Sequence, residues 1–174
     1  MAKRSYFYPT GGLPSQDSVG SSRSIFKTAY AVIPQEVMKD IVVSYFPNWN
    51  LCRAWVLARP MTGFSETFSQ SIIEILPEGG SQKPESDPRA ECVVFVLDGK
   101  LELTLSNKNY ILTPGSYVFI PPDHNWTIFN NSKEPARLIW IRKIYNVAED
   151  IEKPEPFVKN EKDLKPIPMP DTGG

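Results

Sequence analysis

Acid–base chemistry near neutral pH leans on histidine, and this sequence holds one, His124. It sits in Pro121-Pro122-Asp123-His124-Asn125, a run of turn formers in which an exposed side chain without a catalytic partner is expected. Two cysteines, Cys52 and Cys92, stand far apart among apolar or aromatic neighbours. They read as reduced, inert core thiols, not as a disulfide framework or a nucleophile. Glu85 and Asp87, two residues apart, would share one face of an extended segment and could form a carboxylate pair. Residues 81–91 around them are rich in proline and charge, which favours a solvated loop over a tuned dyad. Trp55, Trp126 and Trp140 read as core or interface residues before ligand cages. No Gly-x-Ser-x-Gly elbow, phosphate-cradling glycine loop or Cys-x-x-Cys pair occurs, so no catalytic residue is assigned.

The elements that must position these residues are strands. Short apolar segments recur at 26–33, 41–46, 53–58, 68–76, 92–97 and 101–105, separated by turn signals. Leu101, Leu103 and Leu105 alternate with Glu102, Thr104 and Ser106, the period of a strand with one wet face. Asn107-Lys108-Asn109 reads as a turn, and further strands are predicted at 117–120, 127–129 and 136–142. Only residues 35–40, after Pro34, could make a helical turn. Many short strands joined by glycine and proline turns indicate an all-β sandwich or barrel, and a double-sheet jelly roll protects the edges.

Length and composition set the bounds. The 174 residues suit one domain, and 41% apolar with 22% charged residues is ordinary for a globular chain. Residues 1–24 read as an N-terminal arm, 25–146 as the barrel domain and 147–174, with five of the 17 prolines, as a linker-like tail. A formal charge of −1 offers no field for nucleic acid or anionic lipid. The longest apolar run, 92–97, cannot span a bilayer, and the first dozen residues lack the apolar stretch of a secretory signal. A cytoplasmic protein with neither nucleic acid nor membrane as partner is expected.

Residues 79–99 resemble the first motif of the cupins: glycine, five residues, His-x-His, three or four residues, Glu, six residues, glycine. Gly79 and Gly99 keep the frame, while Glu85, Asp87 and Cys92 stand at the ligand positions. Gly115, Pro121, Asp123, Trp126 and Asn130 match the second motif, with Trp126 in place of its histidine. The resemblance implies a double-stranded β-helix barrel whose mouth gathers these four positions. An indole has no lone pair for a metal, so Trp126 is expected to fill the space instead, and no metal is assigned. Glu85, Asp87, Cys92 and Trp126 remain the candidate binding residues of the mouth.

Longer stretches narrow the resemblance. Ser24-Ile25-Phe26-Lys27-Thr28-Ala29-Tyr30-Ala31-Val32-Ile33-Pro34, Gly63-Phe64-Ser65-Glu66-Thr67-Phe68-Ser69-Gln70 and Trp140-Ile141-Arg142-Lys143 are similar to the ureidoglycine aminohydrolases of allantoin breakdown. So is the tail from Pro154 to Asp171, which resembles that family's interdomain linker. The resemblance implies a two-cupin hydrolase that releases ammonia from (S)-ureidoglycine, with manganese in the second cupin and a metal-free first cupin serving assembly. This chain corresponds to the first half, so inactivity alone, and partnership with a second cupin or in a homodimer or larger homo-oligomer, are expected. A free-standing module binding a small molecule is the alternative. A metalloenzyme using Glu85, Asp87 and Cys92 is the weaker third reading.

Overall fold

The computed structural model describes residues 25–26, 30–33, 42–43, 47–59 and 67–165. The expected arm at 1–24, the helical turn at 35–40 and the end of the tail beyond residue 165 lie outside them. Among the described residues the chain is all β, with a single 3-10 turn, and no helix is long and apolar enough to cross a membrane.

The chain opens with β1 (Ile25–Phe26) and β2 (Ala31–Val32), an antiparallel pair where one longer strand was predicted, then β3 (Val42–Val43). The main barrel is built from β4 (Asn50–Ala58), β5 (Phe68–Ser81), β6 (Ala90–Asp98), β7 (Leu101–Leu105), β8 (Lys108–Leu112), β9 (Ser116–Ile120), β10 (Trp126–Phe129) and β11 (Ala136–Ile144). With β12 (Phe157–Asn160) on one edge, the strand order is β12-β9-β6-β11-β5-β10-β7-β8, and β4 lies along β5 with β3 beside it. Neighbours pair antiparallel throughout, so each strand can present one face to the interior and one outward.

β5 is the corner strand. Residues 68–75 pair with β11, while Gly80 and Ser81 pair with β10 in the other part of the barrel. The strand runs five residues past the predicted end at Leu76 because Gly79 and Gly80 allow the bend. At Gly80, φ is +147° and an added Cβ would run into the carbonyl oxygen of Ile128, so only glycine permits this approach.

Alternation sorts the apolar residues into two clusters. Ile73, Ile75, Val94, Val96, Leu101, Leu103, Leu112, Val118, Ile128 and Leu138 are fully buried inside the barrel. Each such side chain contributes roughly 1.5–3 kcal/mol of burial energy, which makes this core the main source of stability. On the outer face Trp55, Ile72 and Leu97 pack with Ile33, Leu57, Phe95 and Ile139.

Two expectations are corrected. Asn107-Lys108-Asn109 is not the turn: Ser106 and Asn107 carry positive φ, and Lys108 already pairs with Leu105 to start β8. Two central residues with positive φ match the right-handed strand twist and let a two-residue hairpin close. The tail is also not all linker, since Phe157–Asn160 pairs with β9 in register, Phe157 with Phe119 and Asn160 with Ser116. The Phe157 ring lies 5.6 Å from Tyr117 and 5.8 Å from Phe119. Asn160 Nδ2 reaches Ser116 Oγ at 3.0 Å, and its Oδ1 accepts from the Lys162 N–H at 3.1 Å, capping the 3-10 turn Glu161–Asp163.

Candidate functional site

The turn before β10 and the loop after β5 meet at one end of the barrel. Asp123 occupies the glycine place of the second motif with φ +67°, a conformation that Asp tolerates better than most side chains. Its N–H donates to the Pro88 carbonyl at 2.9 Å, stitching the turn to the loop. Asn130, the last motif position, is fully buried and locks the far end of β10. Its Nδ2 donates to the carbonyls of Ile75 (2.9 Å) and Glu134 (2.8 Å), and its Oδ1 accepts the Ser132 N–H at 2.9 Å. These bonds satisfy an amide that would otherwise cost about 1–3 kcal/mol to bury.

The structure brings Glu85, Asp87, Cys92 and Trp126 to one cavity of about 340 Å³, whose wall also includes Lys83 and His124. A second hollow of about 400 Å³ adjoins it, sharing Lys83, Glu85, His124 and Trp126. Below the cavity three indoles fill the barrel mouth. Trp126 lies edge-on to Trp49 (6.4 Å between ring centroids) and to Trp140 (6.3 Å), and Trp49 and Trp140 are 5.6 Å apart. All three are about 5% exposed or less. Such ring contacts add about 0.5–1.5 kcal/mol each beyond area burial, so the cluster is a stable plug.

The two carboxylates do not form a dyad. Glu85 is clamped by Arg142, with Nε to Oε2 at 2.6 Å and Nη2 to Oε1 at 2.8 Å, and Oε1 also accepts the Asp87 N–H at 2.8 Å. Asp87 is gripped by Arg89, with Nε to Oδ1 at 3.0 Å and Nη2 to Oδ2 at 2.8 Å, and Oδ1 also accepts the Arg89 N–H. The Arg89 side-chain hydrogen bonds, then its backbone N–H, hold the Asp87 carboxyl down to about 2. The two acids therefore face two guanidinium groups and not each other. The segment is the loop that its composition predicts; what local sequence did not reveal is the partner of Glu85, since Arg142 is 57 residues away, whereas Arg89 is only two residues from Asp87.

Cys92 pairs with Arg142 across β6 and β11 and is buried. Burial pushes its thiol up to about 12, with the Trp140 indole offsetting part of that rise as a hydrogen-bond donor, so Cys92 is a neutral thiol at pH 7. Cys52, half-buried on β4, donates to the Asn50 carbonyl at 3.0 Å, and burial pushes it up to about 11. Neither cysteine is in a disulfide. His124 is half-buried, not exposed as expected, and its Nδ1 lies 3.0 Å from the Pro122 carbonyl. A carbonyl only accepts, so Nδ1 is the donor in this contact.

The donor set does not fit a transition metal. Among the described residues no three His, Cys, Asp or Glu side chains gather as a metal group. Glu85 and Asp87 have their oxygens on arginines, Cys92 holds its proton, and the indole offers no lone pair. The arrangement can instead bind by charge and by apolar contact.

Two residues of the mouth escaped the sequence reading. Trp49, just before β4, had no motif around it. Arg142 stands two residues after Trp140 on an alternating strand and shares its face, a usable signal, but its partner Glu85 is 57 residues away.

Comparison with known proteins agrees with this geometry. Residues 72–142 match the family model of the cupin domain. The (S)-ureidoglycine aminohydrolase of Escherichia coli (strain K12) is 24% identical over 116 residues, which are 67% of this chain and 42% of that protein. The crystal structure of the putative glyoxylate-induced protein from Pseudomonas aeruginosa superposes with a TM-score of 0.82 at 49% identity, over 98% of this chain and 61% of that one. Protein Ylba from E. coli superposes at 0.74 with 20% identity, over 87% and 61% of the two chains. The chain thus spans less than two thirds of each of these relatives. The nearly closed antiparallel barrel framed by Gly79, Gly99 and Gly115, together with the match over residues 72–142, gives the fold of this chain as a cupin barrel.

Proposed function

We propose that this chain is the metal-free cupin half of a ureidoglycine aminohydrolase-like protein, serving assembly while a second, manganese-bearing cupin performs the hydrolysis. The observation that carries this reading is the mouth: Trp126, at the ligand place of the second motif, packs with Trp49 and Trp140, and the carboxylates of Glu85 and Asp87 are each held by an arginine. A hydrolytic cupin needs an open ligand position for water, and a plugged mouth provides none. The similarity to the E. coli (S)-ureidoglycine aminohydrolase supports the choice of reaction. On this reading the chain has no cofactor of its own, works in the cytoplasm, and associates as a homo-oligomer or with the second cupin.

Purified chain is mixed with a manganese-loaded second cupin, and co-elution and ammonia release from (S)-ureidoglycine are measured. Association is expected, with turnover only when both parts are present. Steady turnover by this chain alone, a stoichiometric transition metal bound to it, or no association with the second cupin would overturn the reading.

A second reading, a small-molecule binding module, is favoured by one observation: space of about 340 Å³ remains above Trp126, within the size range of ligand pockets.

A further inference from the structure

The mouth has an uneven balance of charge once its ion pairs are traced. Three carboxylates line the cavity, those of Glu85, Asp87 and Asp123. Each has its own cation: Arg142 at 2.6 Å, Arg89 at 2.8 Å and Lys153 at 3.1 Å. Lys83 lines both adjoining hollows as well. Its backbone N–H donates to Ser81 Oγ at 3.1 Å, but among the described residues its ammonium meets no carboxylate within ion-pair distance. The acids and bases of the mouth therefore cancel in pairs and leave one positive charge over.

The rest of the wall is of two kinds. Ala90, Cys92, Ile120, Pro121 and Trp126 form an apolar floor, and Cys92 adds no negative charge because its thiol stays protonated. Ser86 and Asn125 add a hydroxyl and an amide as neutral hydrogen-bond donors. A cation entering here would have to displace a guanidinium from a two-point clamp, and a dianion would bring a second charge against carboxylates already satisfied. A single negative charge with a short apolar body meets neither cost.

We propose that the barrel mouth binds a small monocarboxylate, its carboxylate on Lys83 and its apolar part against Trp126 and Ile120. This builds on the reading of the mouth as a metal-free pocket, and it is independent of which reaction a partner cupin performs. The selectivity follows from the charge count: monocarboxylates over their uncharged amides, and over dicarboxylates of similar length.

Saturation-transfer NMR on the intact chain, with a panel of two- to five-carbon monocarboxylates, their amides and succinate, tests the proposal. At least one monocarboxylate is expected to bind saturably, at least tenfold more tightly than its amide and than succinate. Lys83→Gln, a substitution at an exposed position, is expected to weaken that binding at least tenfold without changing the melting temperature of the free protein, while Lys83→Arg retains it. Saturable binding by no monocarboxylate, equal binding of acid and amide, or unchanged binding by Lys83→Gln would overturn the proposal. Each of those results would leave association with a second cupin to be judged by its own experiment, so the two readings fail separately.

Discussion

The chain uses one device twice, with different outcomes. On the outer face of β5, Glu74 is held by Arg53 (2.6 Å) and Arg137 (2.6 Å), and Arg53 lies over the Trp55 ring at 5.3 Å. At the mouth, Glu85 is held by Arg142 (2.6 Å), and Arg142 lies over the Trp140 ring at 5.8 Å. Each site thus combines a glutamate, an arginine and an indole. The side chain of Glu74 is 2% exposed and that of Glu85 is 11%. Glu74 has an arginine on each oxygen and no cavity beside it among those described, whereas Glu85 has one arginine and borders two hollows. The same chemistry therefore stabilises the fold where it is sealed, and shapes a binding surface where one side stays open.

Breaking the sealed site should have the largest effect. Glu74→Ala removes a buried carboxylate from Arg137, which is mostly buried, and from Arg53, which is half exposed and can turn to water, so the cost lies at the lower end for a buried pair, about 3 kcal/mol. For a domain of this size that corresponds to a fall of roughly 10 °C in melting temperature, measurable by calorimetry. A loss below that of the mouth variant would reverse the comparison. Glu85→Gln should cost less, about 1 kcal/mol, because Glu85 borders two open hollows and only one arginine loses its partner. Urea unfolding of the two variants side by side gives the ordering.

The smallest effect belongs to Asp87, whose salt bridge with Arg89 is largely open to water. Its folded-state carboxyl titrates at about 2, below the ordinary value of 3.8. A depressed value means that Asp87 adds stability above about pH 4, which disappears as pH falls through 2. Asp87→Asn should therefore converge on the parent protein as pH falls below about 2 and lie slightly below it at pH 6. An equal difference at both values would show that the ionised form is not what matters.

Local pattern made much of this fold readable. The Leu101, Leu103, Leu105 alternation marked β7 to the residue, and the apolar run at 92–97 marked the centre of β6. β8 was hidden because Lys108 and Asn109 are turn-like by type, and their strand state depends on pairing with β7. β12 was hidden by the prolines around it. Its four residues acquire a strand only by lying on β9, where Phe157 meets Tyr117 and Phe119.

The site divides along the same line. Resemblance to the two cupin motifs, carried by the spacing of Gly79, Gly99, Gly115 and Asn130, put Glu85, Asp87, Cys92 and Trp126 at corresponding places, because glycines at bends and alternation along strands are local requirements of the chain. Which arginine meets which carboxylate, and that Trp49 joins Trp126 and Trp140 in one plug, was decided by strands brought together from distant parts of the sequence. Ion pairing and ring packing act over a few ångströms of space and carry no fixed separation along the chain, so only the closed barrel could select them.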